Sequence, residues 1–336
     1  MHLSEFDYTL PEELIAQKPL DQRDASRLMV VDRRRASIQH RSFADILDYL
    51  RDDDLLVMND TRVTALRLAG HKETGGKVEA LVMKRLRPGL WEAMVKPGRR
   101  VAVGTRLVFD AGLTAVVADR TPEGGRILQF GGVSDPDTVI AETGQTPLPP
   151  YIRVRLDDSG RYQTVYAAAD GSAAAPTAGL HFTPQLLDSI RARGIQTVFV
   201  TLHIGIATFR PVRAENIEDH DMHTEVLEIS EQSADIINSA SGRIVCVGTT
   251  TARALESAAV AKRRIAAGSG ETQLFIRPTY EFQVVEALLT NFHMPRSTLL
   301  MLVSAFAGVE LVRRAYAEAV RHAYRFLSFG DAMFLY

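Results

Sequence analysis

The sequence predicts an α/β protein whose mixed α/β core domain, 1–64 and 150–336, is built from both chain ends. A small antiparallel β-barrel domain over 65–149 interrupts it. Three observations predict this. At 336 residues, the chain exceeds the roughly 250–300 at which a single core stops growing. Between 65 and 149 turn signals recur: T-G-G at Thr74, R-P-G at Arg87, K-P-G at Lys96, D-A-G at Asp110 and P-E-G-G at Pro122. Outside that stretch, short apolar runs alternate with capped helical patterns, as a layered α/β core requires.

In chain order, Ser42 caps a short helix running to about Leu50, and Leu55–Met58 is a buried strand that enters N-D-T-R. The inserted domain follows, with strand-like runs at Val78–Met83, Leu90–Val95, Arg106–Phe109, Leu113–Ala118 and Arg126–Phe130. Short strands at that spacing suit a barrel or sandwich, and T-P-L-P-P-Y from Thr146 is the exit linker. A small-residue stretch from Gly171 to Thr183 leads into a punctuated helix, with Thr183 as N-cap, Pro184 at the first position and Gly194 as terminator. Gln196–Leu202 reads as a strand ending at His203, and Glu225–Ile229 as another, followed by a helix after Ser230. Arg243–Val247 is a buried strand running into G-T-T-T and a helix from Ala252; Gln273–Ile276 and Ala287–Asn291 are further strands. Ser297 caps an apolar helix over Thr298–Phe306, and a polar helix covers Val309–Ala323. No internal repeat is present.

Composition bounds the class. Apolar residues make up 46% and charged residues 24%, an ordinary globular balance. The start, M-H-L-S-E-F-D-Y, has no basic and apolar leader pattern, and no apolar run reaches the ~20 residues of a membrane span. One cysteine, Cys246, lies in an apolar run and excludes an internal disulfide. The expectation is a cytoplasmic protein without a membrane partner. A net charge of −2 argues against a generic nucleic-acid coat. It leaves room for a specific nucleic-acid substrate held by local clusters such as Arg33–Arg35, Arg99–Arg100 or Lys262–Arg264, each of which also fits a solvated hairpin tip or helix end.

Several strand–polar loop–helix junctions carry groups suited to chemistry. His181 and His203 sit at element ends among small residues that let backbone approach a ligand. G-T-T-T at Gly248 offers amides and hydroxyls at a helix start, and Arg253 with Glu256, one turn apart, fits a surface ion pair. N-D-T-R at Asn59 and T-N-F-H-M-P-R-S-T at Thr290 have the same grammar. His220 and His223 form H-x-x-H near Glu225, but without the i,i+4 pairing of a zinc protease or a nearby cysteine, so no metal site is assigned. Together the junctions fit a pocket at the strand ends of an α/β core, hence a small-molecule or nucleoside enzyme.

On these residues the chain resembles the S-adenosylmethionine:tRNA ribosyltransferase-isomerases of queuosine biosynthesis. The resemblance runs almost end to end: R-D-A-S-R-L at Arg23, N-D-T-R-V at Asn59, P-L-P-P-Y-I at Pro147, R-Y-Q-T-V-Y-A at Arg161, A-A-P-T-A-G-L-H-F-T at Ala174, H-D-M-H at His220, G-T-T-T-A-R-A-L-E at Gly248, T-N-F-H-M-P at Thr290 and F-G-D-A-M at Phe329. It implies transfer and isomerisation of the ribosyl part of S-adenosylmethionine onto 7-aminomethyl-7-deazaguanine at the tRNA wobble position. The implied products are epoxyqueuosine-tRNA, adenine and methionine. The implied partners are that tRNA and S-adenosylmethionine, which is consumed, so no cofactor is expected; the chain is expected to be a monomer.

The reaction needs a general base, because the sulfonium acidifies the neighbouring ribose methylene. His203 and His293 are the first candidates for proton transfer, with His181, His220 and His223 next; Asp60 and Asp331 are placed to orient the amine or hold a ribose hydroxyl. Thr249, Thr250 and Arg253 are candidates for the methionine carboxylate or ribose, and Phe182, Phe209 and Phe292 for base stacking. Asn59, Thr61, Arg62, Pro176, Thr177, Thr208 and Asn291 complete the expected substrate contacts within the matching motifs. Three positions depart from the family pattern: Ala207 and Thr279 stand where glycine is usual, and Gln145 where glutamate is. Ala207 motivates the alternative of a tRNA-binding relative with impaired catalysis.

Overall fold

Leu55–Asn59 is buried at every position, the pattern of a strand covered on both faces. In the computed structural model, which describes residues 1–122, 124–205, 212 and 214–336, it lies inside a nine-stranded sheet. The order is Gly268–Thr272, Glu225–Ile229, Gln196–His203, Leu55–Asn59, Ile244–Val247, Ala287–Asn291, Ala332–Leu335, Arg27–Asp32 and Ser37–Ser42. The four strands from Gln196–His203 to Ala287–Asn291 run parallel, with antiparallel neighbours on either side. Their carboxyl ends therefore share one edge, where open α/β sheets bind ligands.

The chain divides into two compact units: Met1–Thr61, Pro149–Ala169 and Ala175–Tyr336 form the larger, Arg62–Leu148 and Asp170–Ala174 the smaller. The α/β core and the inserted barrel expected from the sequence are both present. The smaller unit holds a closed six-stranded antiparallel barrel ordered Arg126–Gly131, Leu90–Lys96, Lys77–Arg87, Leu66–Lys72, Arg106–Phe109 and Thr114–Arg120. Alternate residues such as Val78, Ala80 and Val82, or Ala115 and Val117, point inward and meet Leu107, Leu128 and Phe130.

The larger unit follows the same economy. Thr183 Oγ1 accepts the Leu186 amide at 3.1 Å, Pro184 opens the helix Pro184–Ala192, and Leu186, Leu187 and Ile190 are buried. These join Phe43, Leu56, Met58, Val245, Leu289 and Phe334 in one core, each large side chain contributing about 1.5–3 kcal/mol. Ser297 caps Thr298–Ala307 likewise, accepting from Leu300 at 3.2 Å.

Some elements differ from expectation. The strand expected at Gln273–Ile276 lies earlier, at Gly268–Thr272. The hairpin Arg27–Asp32/Ser37–Ser42 carries no turn glycine. Asp32 closes it by accepting from the Arg34 and Arg35 amides at 2.9 and 3.0 Å, and Ala36 takes φ +50. The arginine triple is thus a hairpin tip, with Arg33 stacked on Phe306 at 3.8 Å.

Arg253 and Glu256 do not form a surface pair. Both are buried; Arg253 meets Glu225, while Glu256 accepts from the Gln283, Val284 and Val285 amides at 2.8–2.9 Å and from the Tyr280 hydroxyl at 3.0 Å. The physical reason is that an irregular segment laid on this helix needs an acceptor for its amides. Glu256→Ala should therefore lower the unfolding free energy by about 3 kcal/mol or more, since it strands several buried donors. Urea unfolding reads this, and a loss below about 1 kcal/mol would contradict the assignment.

The segment held by Glu256 begins with a turn whose Tyr280 amide donates to Arg277 O at 3.0 Å. Pro278 occupies its second position and Thr279, at φ +84, its third. That is the place where a type II turn wants glycine, and a β-branched residue there is strained. Thr279→Gly is expected to raise the unfolding free energy by about 1 kcal/mol, the left-handed cost less the glycine entropy. An unchanged or lower denaturation midpoint would refute this. Gln145, the other described departure, joins Arg67 through backbone groups at 2.7 and 3.0 Å, an interaction any side chain permits.

Candidate active site

At the shared carboxyl edge of the parallel strands the larger unit encloses a cavity of about 380 Å³. Four junctions line it: Pro176–Ala178, Ile204, Gly248–Thr250 and Thr290–Pro295. Gly248, at φ +94, turns the chain from strand into the helix Thr249–Ala258 as only glycine does without strain. The start of that helix faces the cavity with Thr249 and Thr250, so free amides and hydroxyls meet a polar or anionic group there.

Asn291 is the polar hub of the wall. Its Oδ1 accepts from Thr177 Oγ1 at 3.0 Å, and its Nδ2 lies 3.0 Å from His181 Nε2 and 3.3 Å from Leu327 O. His181 Nδ1 is 2.7 Å from Ser26 Oγ, and its ring stacks on Phe43 at 4.8 Å. Because the Asn291 amide donates to Nε2, the imidazole proton sits on Nδ1 and points to Ser26. Burial, and then the charges of Arg23 and Arg325, push the His181 pKa down to about 3. His181 is a neutral ring engaged at both nitrogens, one layer behind the cavity.

His293 lines the cavity itself. Its Nε2 is 2.8 Å from Thr290 Oγ1, its amide donates to Tyr316 Oη at 3.0 Å, and Tyr8 Oη donates to its carbonyl. Burial pushes its pKa down to about 3. Phe292 lines the cavity as well.

His203 ends its strand beside Ile204, with Nδ1 2.8 Å from Thr61 Oγ1. Asp60 stands next to it. Burial holds its carboxyl above the usual carboxylate range, opposed by the Thr201 hydroxyl at 2.7 Å and by His203. Asn59 is wholly buried. It takes the Leu202 amide on Oδ1 at 3.1 Å and gives Nδ2 to Leu202 O at 3.0 Å, reaching Thr250 Oγ1 at 3.4 Å.

Other expected contacts lie elsewhere. Asp331 is buried under four N–H donors, three from Arg27 at 2.9–3.1 Å and the Arg325 amide at 2.8 Å, and leaves no oxygen for a ribose or amine. Phe182 is fully buried against Phe43 in the core, without a free face for a base. Arg253 gives Nη1 to Glu225 and Nε to Leu274 O at 3.2 Å, keeps a buried Nη2 without an acceptor, and does not line the cavity. Arg62 belongs to the smaller unit, near Asp170 at 3.4 Å. His223 Nε2 lies 3.2 Å from Glu225 Oε1, and His220 packs edge-on to Phe275. Thr208, Phe209 and Ala207 lie outside the described residues. Among the described residues, the histidines and carboxylates that converge as metal ligands would are His40, Glu318 and His322, not the H-x-x-H pair. Ser26 and Thr290 orient the two buried histidines; Thr290 opens the T-N-F-H motif that holds His293, whereas the serine sits inside R-D-A-S-R-L without any spacing to His181 that would betray it.

The two neutral histidines make a prediction. Their folded pKa values are depressed below the ordinary ~6.5, so below that pH the unfolded chain binds protons that the native state refuses. Stability present above about pH 6.5 should be lost as pH falls toward 3, by about 1.4 kcal/mol per pH unit for each ring. Urea titrations between pH 7 and 4 compare wild type with His181→Asn; an identical slope in the variant would refute the assignment for His181.

The profile of the family described as "Queuosine biosynthesis protein" matches residues 3–335. The S-adenosylmethionine:tRNA ribosyltransferase-isomerase of Halothermothrix orenii is 53% identical over 343 residues, covering 100% of both chains. That of Caldanaerobacter subterraneus subsp. tengcongensis is 52% identical over 340 residues, again covering 100% of both. The crystal structure of S-adenosylmethionine tRNA ribosyltransferase from Thermotoga maritima aligns with 40% identity and a TM-score of 0.56, covering 99% of this chain and 100% of that one. No described helix is long and apolar enough to cross a membrane. With a strand-end cavity whose walls are the motifs quoted above, and a match from end to end, the chain belongs to the queuosine biosynthesis protein family.

Proposed function

We propose that the chain transfers and isomerises the ribosyl moiety of S-adenosylmethionine onto 7-aminomethyl-7-deazaguanine at the wobble position of tRNA, releasing adenine and methionine and leaving epoxyqueuosine. The observation that carries this reading is the cavity of about 380 Å³ at the carboxyl ends of four parallel strands, walled by the threonine and asparagine junctions. Its volume lies within the range of small-molecule sites. Full-length similarity to proteins named for this reaction supports it.

The residues divide the work by their surroundings. Thr249 and Thr250, at a helix start, suit the methionine carboxylate or ribose hydroxyls. Asn291 presents its carboxamide in an orientation fixed by Thr177 and by the neutral His181, so His181 is a positioning residue rather than the base. His293, depressed to about 3, is too weak a base for a ribose methylene and suits hydrogen bonding to substrate. His203 has an acidic neighbour in Asp60 and a hydroxyl partner in Thr61, which orients the ring. Proton removal is assigned to His203.

Purified protein, S-adenosylmethionine and tRNA carrying 7-aminomethyl-7-deazaguanine should yield adenine by chromatography and epoxyqueuosine among the digested nucleosides by mass spectrometry. A folded sample that yields neither would overturn the reading. In single turnover, His203→Ala should slow product formation by about 10²-fold or more, the scale of a lost general base. Wild-type rates in both His203→Ala and His293→Ala would remove the histidines from the mechanism.

A further inference from the structure

Three arginines, Arg23, Arg161 and Arg325, line a second, smaller opening of about 20 Å³ in the larger unit. Each guanidinium is anchored to backbone carbonyls. Arg23 donates to Leu180 O and Gly160 O, both at 3.1 Å; Arg161 donates to Asp21 O and Leu20 O at 3.2 and 2.5 Å; Arg325 donates to Lys18 O. Among the described residues none of the three joins a carboxylate in an ion pair. Asp331 takes the Arg325 backbone amide at 2.8 Å and gives its remaining capacity to Arg27.

Two donors are left over: Arg161 Nε and Arg325 Nη1 are shielded from solvent and have no acceptor. A buried donor without a partner is costly, and the carboxylates that act on the cluster, Asp158 on Arg23 and Asp331 on Arg325, reach none of the three guanidiniums as an ion pair. Burial first, and then the Arg161 charge, lower the Arg23 pKa, with Asp158 opposing them. A water molecule would satisfy a donor but leave the charge. An oxyanion does both, and guanidinium forks match phosphate oxygens.

We propose that Arg23, Arg161 and Arg325 form an oxyanion site that takes one backbone phosphate of the polynucleotide substrate. The inference rests on the tRNA reading above. The position is apt, because Ser328 lines both this opening and the large cavity, so a phosphate here sits beside the reacting nucleotide. The carboxylate of S-adenosylmethionine is the other oxyanion at hand, but the helix start at Thr249 already offers it donors inside the large cavity.

The test uses the full chain with Arg161→Gln and Arg325→Gln. Binding of an anticodon stem-loop is followed by fluorescence anisotropy across a potassium chloride series, and KM is measured separately for tRNA and for S-adenosylmethionine. Each variant should bind the stem-loop about tenfold or more weakly, flatten the salt slope by about 0.7–0.9, and raise KM for tRNA but not for S-adenosylmethionine. A rise confined to S-adenosylmethionine would make this a carboxylate site, and unchanged binding and slope a purely structural cluster; either overturns the proposal. If a variant fails to fold by circular dichroism, Arg161→Lys or Arg325→Lys keeps the cation and removes the fork. Should the wild type make no product from that tRNA, the ribosyl-transfer reading fails by itself. A further arm then reads the site: sodium sulfate, against matched chloride, should raise the Tm of wild type more than that of the variants, and equal shifts would overturn it.

Discussion

Everything at the site depends on how the central strands end. Leu55–Asn59 pairs with Gln196–His203 through Val200 opposite Asn59, and there the two backbones part. The Asn59 carboxamide then takes over both hydrogen bonds of Leu202, as the next peptide unit of the strand would have done. One strand can leave toward Asp60 and Thr61 while its neighbour continues to His203, with no backbone group stranded in the core. A leucine there would leave two buried peptide groups unpaired. An aspartate would lack the donor.

The same constraint explains the neutral histidines. The sheet edge is polar because strand ends must be, yet it is buried because helices cover both faces. A protonated imidazole in that setting would bear a desolvation cost nothing repays, and for His181 the neighbouring Arg23 and Arg325 add repulsion. A neutral ring still offers one donor and one acceptor. His181 spends them on Ser26 and Asn291, converting a serine in an N-terminal segment into orientation of an asparagine at the cavity wall.

Sequence patterning conveys the parts of this that are local and leaves the parts that are not. Thr183–Pro184, Ser297 and the apolar strands are legible because capping and burial depend on neighbours in the chain. The barrel is legible from its turns, though its first strand, Leu66–Lys72, is not, since the G-H-K-E end of L-R-L-A-G-H-K-E reads as polar loop. The hairpin Arg27–Asp32/Ser37–Ser42 escapes because an aspartate side chain, not a glycine, closes its turn. Asp331 and Arg253 carry acid and base chemistry in a motif, but their partners, Arg27 and Glu225, are distant in sequence. Only the fold shows that both are already ion-paired.

That contrast is what separates scaffold from site among the charged groups. Asp54 is buried with Arg243, Glu225 with Arg253, Asp331 with Arg27, and Glu256 with a run of amides. In each, the charge that burial penalises is met by a partner within the chain, as a structural charge must be. Arg23, Arg161 and Arg325 give their guanidiniums to carbonyl oxygens that hold their planes, the nearby Asp158 and Asp331 form no ion pair with them among the described residues, and two of their N–H groups have no acceptor. A fold that pairs Asp54, Glu225 and Asp331 directly with arginines, yet gathers three guanidiniums around an opening without a direct ion pair, leaves room there for an oxyanion that arrives with the substrate.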